Sequence, residues 1–136
     1  MPKTFNAPFP QTPDTATAVV TAACVIGTTD TPTNTVLLFT VGTEGAILTN
    51  LSAMPFGTTP VTGLVLFLSN DSGVKKRLID SEVMQAYNLT PGAVIPETQF
   101  FRYSEQTPLR LGAGDQLYVG SMVAGNIVFK AEYTEF

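Results

Sequence analysis

The chain has 136 residues, 44% apolar and only 13% charged, which is enough apolar material for one buried core and too little charge for a disordered chain. Its net charge of −4, with seven scattered Lys and Arg, argues against a nucleic-acid partner, and no apolar run is long enough to cross a bilayer, so a soluble protein is expected. Histidine is absent, which removes Ser-His-Asp and Cys-His nucleophile systems, most zinc sites and any imidazole pH switch.

Residues 1–15 read MPKTFNAPFPQTPDT, and Pro2, Pro8, Pro10 and Pro13 each lack a backbone donor and fix φ, so an extended arm is predicted and a helix excluded. The segment also lacks the apolar h-region and cleavage site of a signal peptide. Residues 16–136 are expected to form one β-sandwich domain. Residues 15–26, TATAVVTAACVI, read as its first strand, with Cys24 on the apolar face set by Ala18, Val20, Ala22 and Ile26. A buried, inert thiol follows, and a lone cysteine allows no intramolecular disulfide.

Residues 35–41, TVLLFTV, are almost continuously apolar, as in a strand covered on both faces. GTEG at 42–45 reads as a hairpin turn into a strand at 46–54, and a further strand is expected at 64–69. NDSG at 70–73 turns into an alternating strand at 75–84. Pro91, Gly92 and Pro96 leave 85–96 as a loop, and strands follow at 97–104, 108–111, 115–122 and 126–136. GAGD at 112–115 and AGN at 124–126 mark the last hairpins. The final strand places Ile127, Phe129, Ala131 and Tyr133 on one face and Val128, Lys130, Glu132 and Thr134 on the other. About eight strands and no helix predict an all-β, antiparallel, jelly-roll-like sandwich.

No constellation for catalysis, cofactor or metal emerges, and a non-enzyme is expected. Asp80 and Glu82 share a strand face, as paired carboxylates of a glycosidase would, but Lys76 falls on the same face, and a solvated, mixed-charge face is the expected reading. Asn70, Asp71 and Ser72 offer oxygens to calcium without the six to eight ligands such a site needs, so a turn is expected. GAGD and GTEG precede strands and cannot use a helix N-terminus to cradle phosphate. Phe100, Phe101 and Tyr103 are the best aromatic platform. Neighbours point to opposite faces, so only one of the two phenylalanines is core, and the other, beside Arg102, fits a subunit interface.

Residues 35–73, TVLLFTVGTEGAILTNLSAMPFGTTPVTGLVLFLSNDSG, resemble a pattern of small tailed-phage virion proteins. Its positions are Leu38, Phe39, Thr40, Val41, Gly42 and Gly45, then Gly57-Thr58, then Leu66, Phe67, Leu68, Asn70, Asp71 and Gly73. The ending TPLRLGAGDQLYVGSMVAGNIVFKAEYTEF is similar to the same family's C-terminus, and the likeness spans residues 33–136, departing at Gly63-Leu64. The resemblance implies a capsid-associated β-sandwich in the virion: a decoration or cement protein, assembled in the host cytoplasm, that grips the major capsid protein or other virion subunits as a homo-oligomer, often a trimer. The arm would dock onto a neighbour through Phe5 and Phe9, already partly ordered by its prolines, the alternative being a frayed terminus. Phe56, Phe101 and Arg102 complete the expected contact residues. The alternative is a tail-tip or fibre module that binds host carbohydrate by stacking sugars on Tyr87, Tyr103 and Tyr118; the absence of Trp counts against it.

Overall fold

The computed structural model describes residues 12–136. They form nine strands and no helix: β1 (Thr12–Val20), β2 (Val36–Thr40), β3 (Ala46–Pro55), β4 (Thr62–Ser69), β5 (Arg77–Met84), β6 (Thr98–Gln99), β7 (Leu109–Leu111), β8 (Gln116–Ser121) and β9 (Ile127–Glu135). One sheet has the order β1-β9-β3-β6, with β7 also pairing β3; the other is β2-β8-β4-β5. All of these ladders are antiparallel. The first strand pairs the last, the second pairs the next to last, β3 pairs β6 and β7, and β4 pairs β5. That nesting is a jelly roll: one long folded-over ribbon rolled into two facing sheets.

The core lies between the sheets. Ile127, Phe129, Ala131 and Tyr133 of β9 are all buried, on the face their alternation requires, and meet Leu64 and Leu66 of β4 and Leu117 and Val119 of β8 in one cluster. Burying a side chain such as Phe129 contributes roughly 1.5–3 kcal/mol. Phe39 and Tyr133 stack across the sheets with centroids 4.0 Å apart and planes 1° from parallel, while Phe100 meets Phe129 at 6.5 Å.

Several sequence expectations are corrected. Thr12–Thr15, read as part of the arm, belongs to β1 and pairs Glu132–Glu135; Pro13 is accommodated there because β1 is an edge strand. β1 ends at Val20, not at Ile26. GTEG, GAGD and AGN do not close hairpins: each carries the chain from one sheet to the other, and β4–β5 is the only ladder between consecutive strands among the described residues. β2 is an edge strand rather than one covered on both faces. A bulge between Leu37 and Phe39 turns both Leu38 and Phe39 inward and leaves Leu37 exposed. The strand expected at 97–104 shrinks to Thr98–Gln99 before the chain turns away.

Candidate interaction surface

At one margin of the sandwich β5, the edge of the four-stranded sheet, comes close to β6. After β6 the ladder to β3 continues for one more bond, from Phe100 N–H to the Leu51 carbonyl at 2.9 Å, and the chain then turns. The Ser104 and Thr107 hydroxyls bond at 2.9 Å and Thr107 N–H donates to Ser104 Oγ at 3.1 Å, which closes the turn. Phe100 is buried against Phe129, whereas Phe101 is 78% exposed. The expectation of one core and one outward phenylalanine therefore holds.

Arg102 is held from below. Its Nη1 lies 3.2 Å from Oδ1 of Asp80, whose side chain is 1% exposed, and the same oxygen accepts the Ser81 N–H at 2.8 Å. Asp80 Oδ2 is buried without a hydrogen bond of regular geometry, so its charge is left to Arg102 and to the nearby Tyr103 hydroxyl. Burial raises the Tyr103 phenol pKa; the charge and hydrogen bonding of Asp80 add to this, and Arg102 opposes it. Asp80 and Glu82 do share a face, opposite Leu66 and Leu64, but it is the inner face, so the solvated-face expectation fails for Asp80. Lys76 is not with them. The irregularity between Leu66 and Phe67 gives β5 an extra residue, Ile79, and shifts the alternation.

Lys76 instead lies on the outer face of the four-stranded sheet, with Nζ 4.4 Å from the Tyr118 ring and 3.1 Å from Thr35 Oγ1. There, residues 21–35 cross the sheet as a flap. Cys24 N–H donates to the Ser121 carbonyl at 2.7 Å, Lys76 N–H to the Asp30 carbonyl at 2.8 Å, and Asn34 Nδ2 to the Ala23 carbonyl at 2.8 Å. Cys24, Val65 and Phe67 form a second small core beneath it, with Ile26 and Tyr118 at its rim. Cys24 is buried as expected, but not on one face with Ala18 and Val20: they lie in the main core between the sheets, and it packs on the outer face of the four-stranded sheet. Burial raises its thiol pKa, with Lys76 opposing.

The remaining expected sites are not brought together. Phe56 is half-exposed just past the end of β3, with no ring contact to Phe101 among the described residues, and Phe5 and Phe9 lie outside the described residues. Tyr103 packs on the main core, Tyr118 lies under Lys76, and Tyr87 bridges Thr59, so the three tyrosines form no shared platform. Asp71 is used by its own turn: Oδ1 accepts from Ser69 Oγ and Lys75 N–H, each at 2.9 Å. No group of three or more His, Cys, Asp or Glu among the described residues is placed to hold a metal ion. An open groove of about 410 Å³ runs over the five-stranded sheet, lined by Asp14, Thr15, Thr49, Glu105, Glu132 and Thr134 among others. Neither a protein-family model, nor a curated protein, nor a solved structure matches the chain.

Proposed function

We propose that this protein is a structural component of a bacteriophage virion, a decoration protein that binds the outside of the head shell as a homo-oligomer and has no active site. The observation that carries this reading is the pairing of a 78% exposed Phe101 with an Arg102 braced by a buried carboxylate. An aromatic and an arginine on a pre-ordered turn lose little side-chain freedom on docking, which is the character of an interface anchor. The sequence resemblance of residues 33–136 points the same way, and a jelly roll suits a rigid part that presents surfaces. The test is co-sedimentation of the purified protein with mature, undecorated heads of its own phage. Binding is expected, with at least a 10-fold loss of affinity for Phe101→Ala, in the range of a contact worth more than ~1.4 kcal/mol. Absence of binding by the unmodified protein sinks the reading.

The second reading, a host-carbohydrate module of a tail tip or fibre, is favoured by the groove over the five-stranded sheet, where hydroxyls of Thr15, Thr49 and Thr134 stand beside Asp14 and Glu132. Such donors and acceptors suit sugar hydroxyls. A glycan array discriminates: selective binding to one glycan class, abolished by Glu132→Gln, would replace the decoration reading.

A further inference from the structure

The turn that carries Phe101 and the groove over the five-stranded sheet share a stretch of chain. Thr107 Oγ1 donates to the Arg102 carbonyl at 3.3 Å, tying the start of the turn to its end, and Glu105 between them lines the groove. The turn is a plug: Phe101 stands exposed, and beside it the Arg102 guanidinium is held by Asp80 with its side chain still 74% exposed. The groove is its counterpart. Strand register sets Pro13, Thr15, Glu132 and Thr134 on one outer face, so a proline ring and threonine methyls adjoin the carboxylates of Glu132 and Glu105. Lys130 Nζ lies 3.7 Å from Glu132 Oε1, and one lysine against two carboxylates leaves the groove negative.

We propose that the Phe101–Arg102 turn of one copy seats in this groove of a second copy, guanidinium to carboxylates and phenyl ring to the proline and threonine surface. The inference rests on the homo-oligomer in the reading above and names what its anchor grips. Charge complementarity selects the occupant. The groove calls for a cation with an apolar companion, the turn calls for carboxylates beside an apolar recess, and the same chain carries both. A second copy therefore satisfies both patches of every subunit. A partner that brought only a cation would leave Phe101 in water, and one that brought only a carboxylate would leave the groove charged.

Asp80 prepares the plug. Its buried Oδ1 holds Nη1 at 3.2 Å before any partner arrives, so Arg102 loses less freedom on docking. A guanidinium has more N–H donors than one such contact uses, and the rest stay available to a partner's carboxylates. Turn and groove are unlike patches, so the contact is heterologous: it runs head to tail and closes into a ring when the rotation allows. A few side chains make a smaller contact than the ~800 Å² per partner of a stable complex, so the association is concentration-dependent.

The experiment is light scattering on the full chain from ~10 µM to ~1 mM, a range chosen to capture a contact of that size. The mass is expected to rise to a multiple of the 14.5 kDa of one chain and to fall back to it in Arg102→Glu and in Glu132→Arg, each of which sets like charges together. It is expected to return in the double variant, where the pair is reversed. Because a variant could fail to fold, the unmodified protein is also titrated by NMR, and concentration-dependent amide shifts are expected at residues 100–107, 13–15 and 132–134. A single-chain mass throughout overturns the proposal, as does an oligomer indifferent to both single variants, a folded double variant that stays a single chain, or shifts elsewhere. The decoration reading fails separately: heads bound by a single-chain protein would keep it without this contact, and absence of binding would sink it whatever the mass. Where the contact holds, Phe101→Ala weakens head binding through lost avidity.

Discussion

Tyr133 shows how much one side chain couples in this fold. Its ring stacks on Phe39 from the opposite sheet, and its hydroxyl donates to Asp14 Oδ2 of the neighbouring edge strand at 3.1 Å. Burial, then the hydrogen bond and charge of Asp14, then Glu135, push its phenol pKa up to about 12 from an ordinary 10.0. The folded state thus holds the proton more tightly than the unfolded chain. The stabilisation is fully present below pH 10.0 and is lost as pH rises through about 12. Tyr103 acts in the same direction. Urea unfolding is therefore expected to show stability declining above pH 10.0. Tyr133→Phe should lose ~0.5–1.5 kcal/mol near neutrality, the value of one hydrogen bond, and make the alkaline decline shallower. An unchanged alkaline slope in that variant would assign the decline to other groups.

At the scale of elements, the flap depends on a position without a side chain. A Cβ on Gly120 would stand 3.1 Å from Cys24 Cβ and 3.3 Å from its Sγ, so residues around Cys24 reach the sheet only because β8 has glycine there. Gly120→Val is expected to lift the flap, costing ~1–3 kcal/mol as an overpacked site. It should speed reaction of Cys24 with a thiol reagent at least tenfold over the slow rate of the buried, pKa-raised thiol. An unaltered rate would mean that the flap is anchored elsewhere. The flap also marks where the sequence stops being legible. Alternation correctly gave the buried face of β9 and the opposed fates of Phe100 and Phe101, because period two is a local property of an extended chain. It misplaced Cys24, Lys76 and Asp80, because one extra residue in β5 inverts the faces upstream of it and because the route of residues 21–35 depends on a sheet assembled from distant segments. The brace on Arg102 had no signal of its own, because Asp80 sits among Ser81 and Glu82 as one member of a mixed polar segment and its partner lies in the turn that follows β6, far off in sequence. GTEG and GAGD were legible as turns. Which sheet each enters was not, since turn chemistry does not encode the partner strand.

For the whole molecule, this topology dictates an order of events. The β4–β5 hairpin closes a short loop, through a turn in which Asp71 Oδ1 accepts from Ser69 Oγ and Lys75 N–H. The β1–β9 ladder instead joins Thr12 to Glu135, nearly the full described chain. Loop-closure entropy must be met before a contact returns any energy, and it grows with the logarithm of loop length, so the local hairpin is favoured early and the β1–β9 closure late. A nested antiparallel sandwich of this kind belongs with domains that fold in milliseconds to seconds. The assignment of early and late is testable by stopped-flow chevrons. Asp71→Ala should slow folding while leaving unfolding nearly unchanged, since its bonds are already made in the transition state. Tyr133→Phe should speed unfolding and leave folding nearly unchanged, since its link to Asp14 closes last. The reverse partition, with Asp71→Ala appearing only in the unfolding limb, would mean that the roll closes its long ladder first and that the hairpin is a late addition to a core nucleated by β3, β9 and β8.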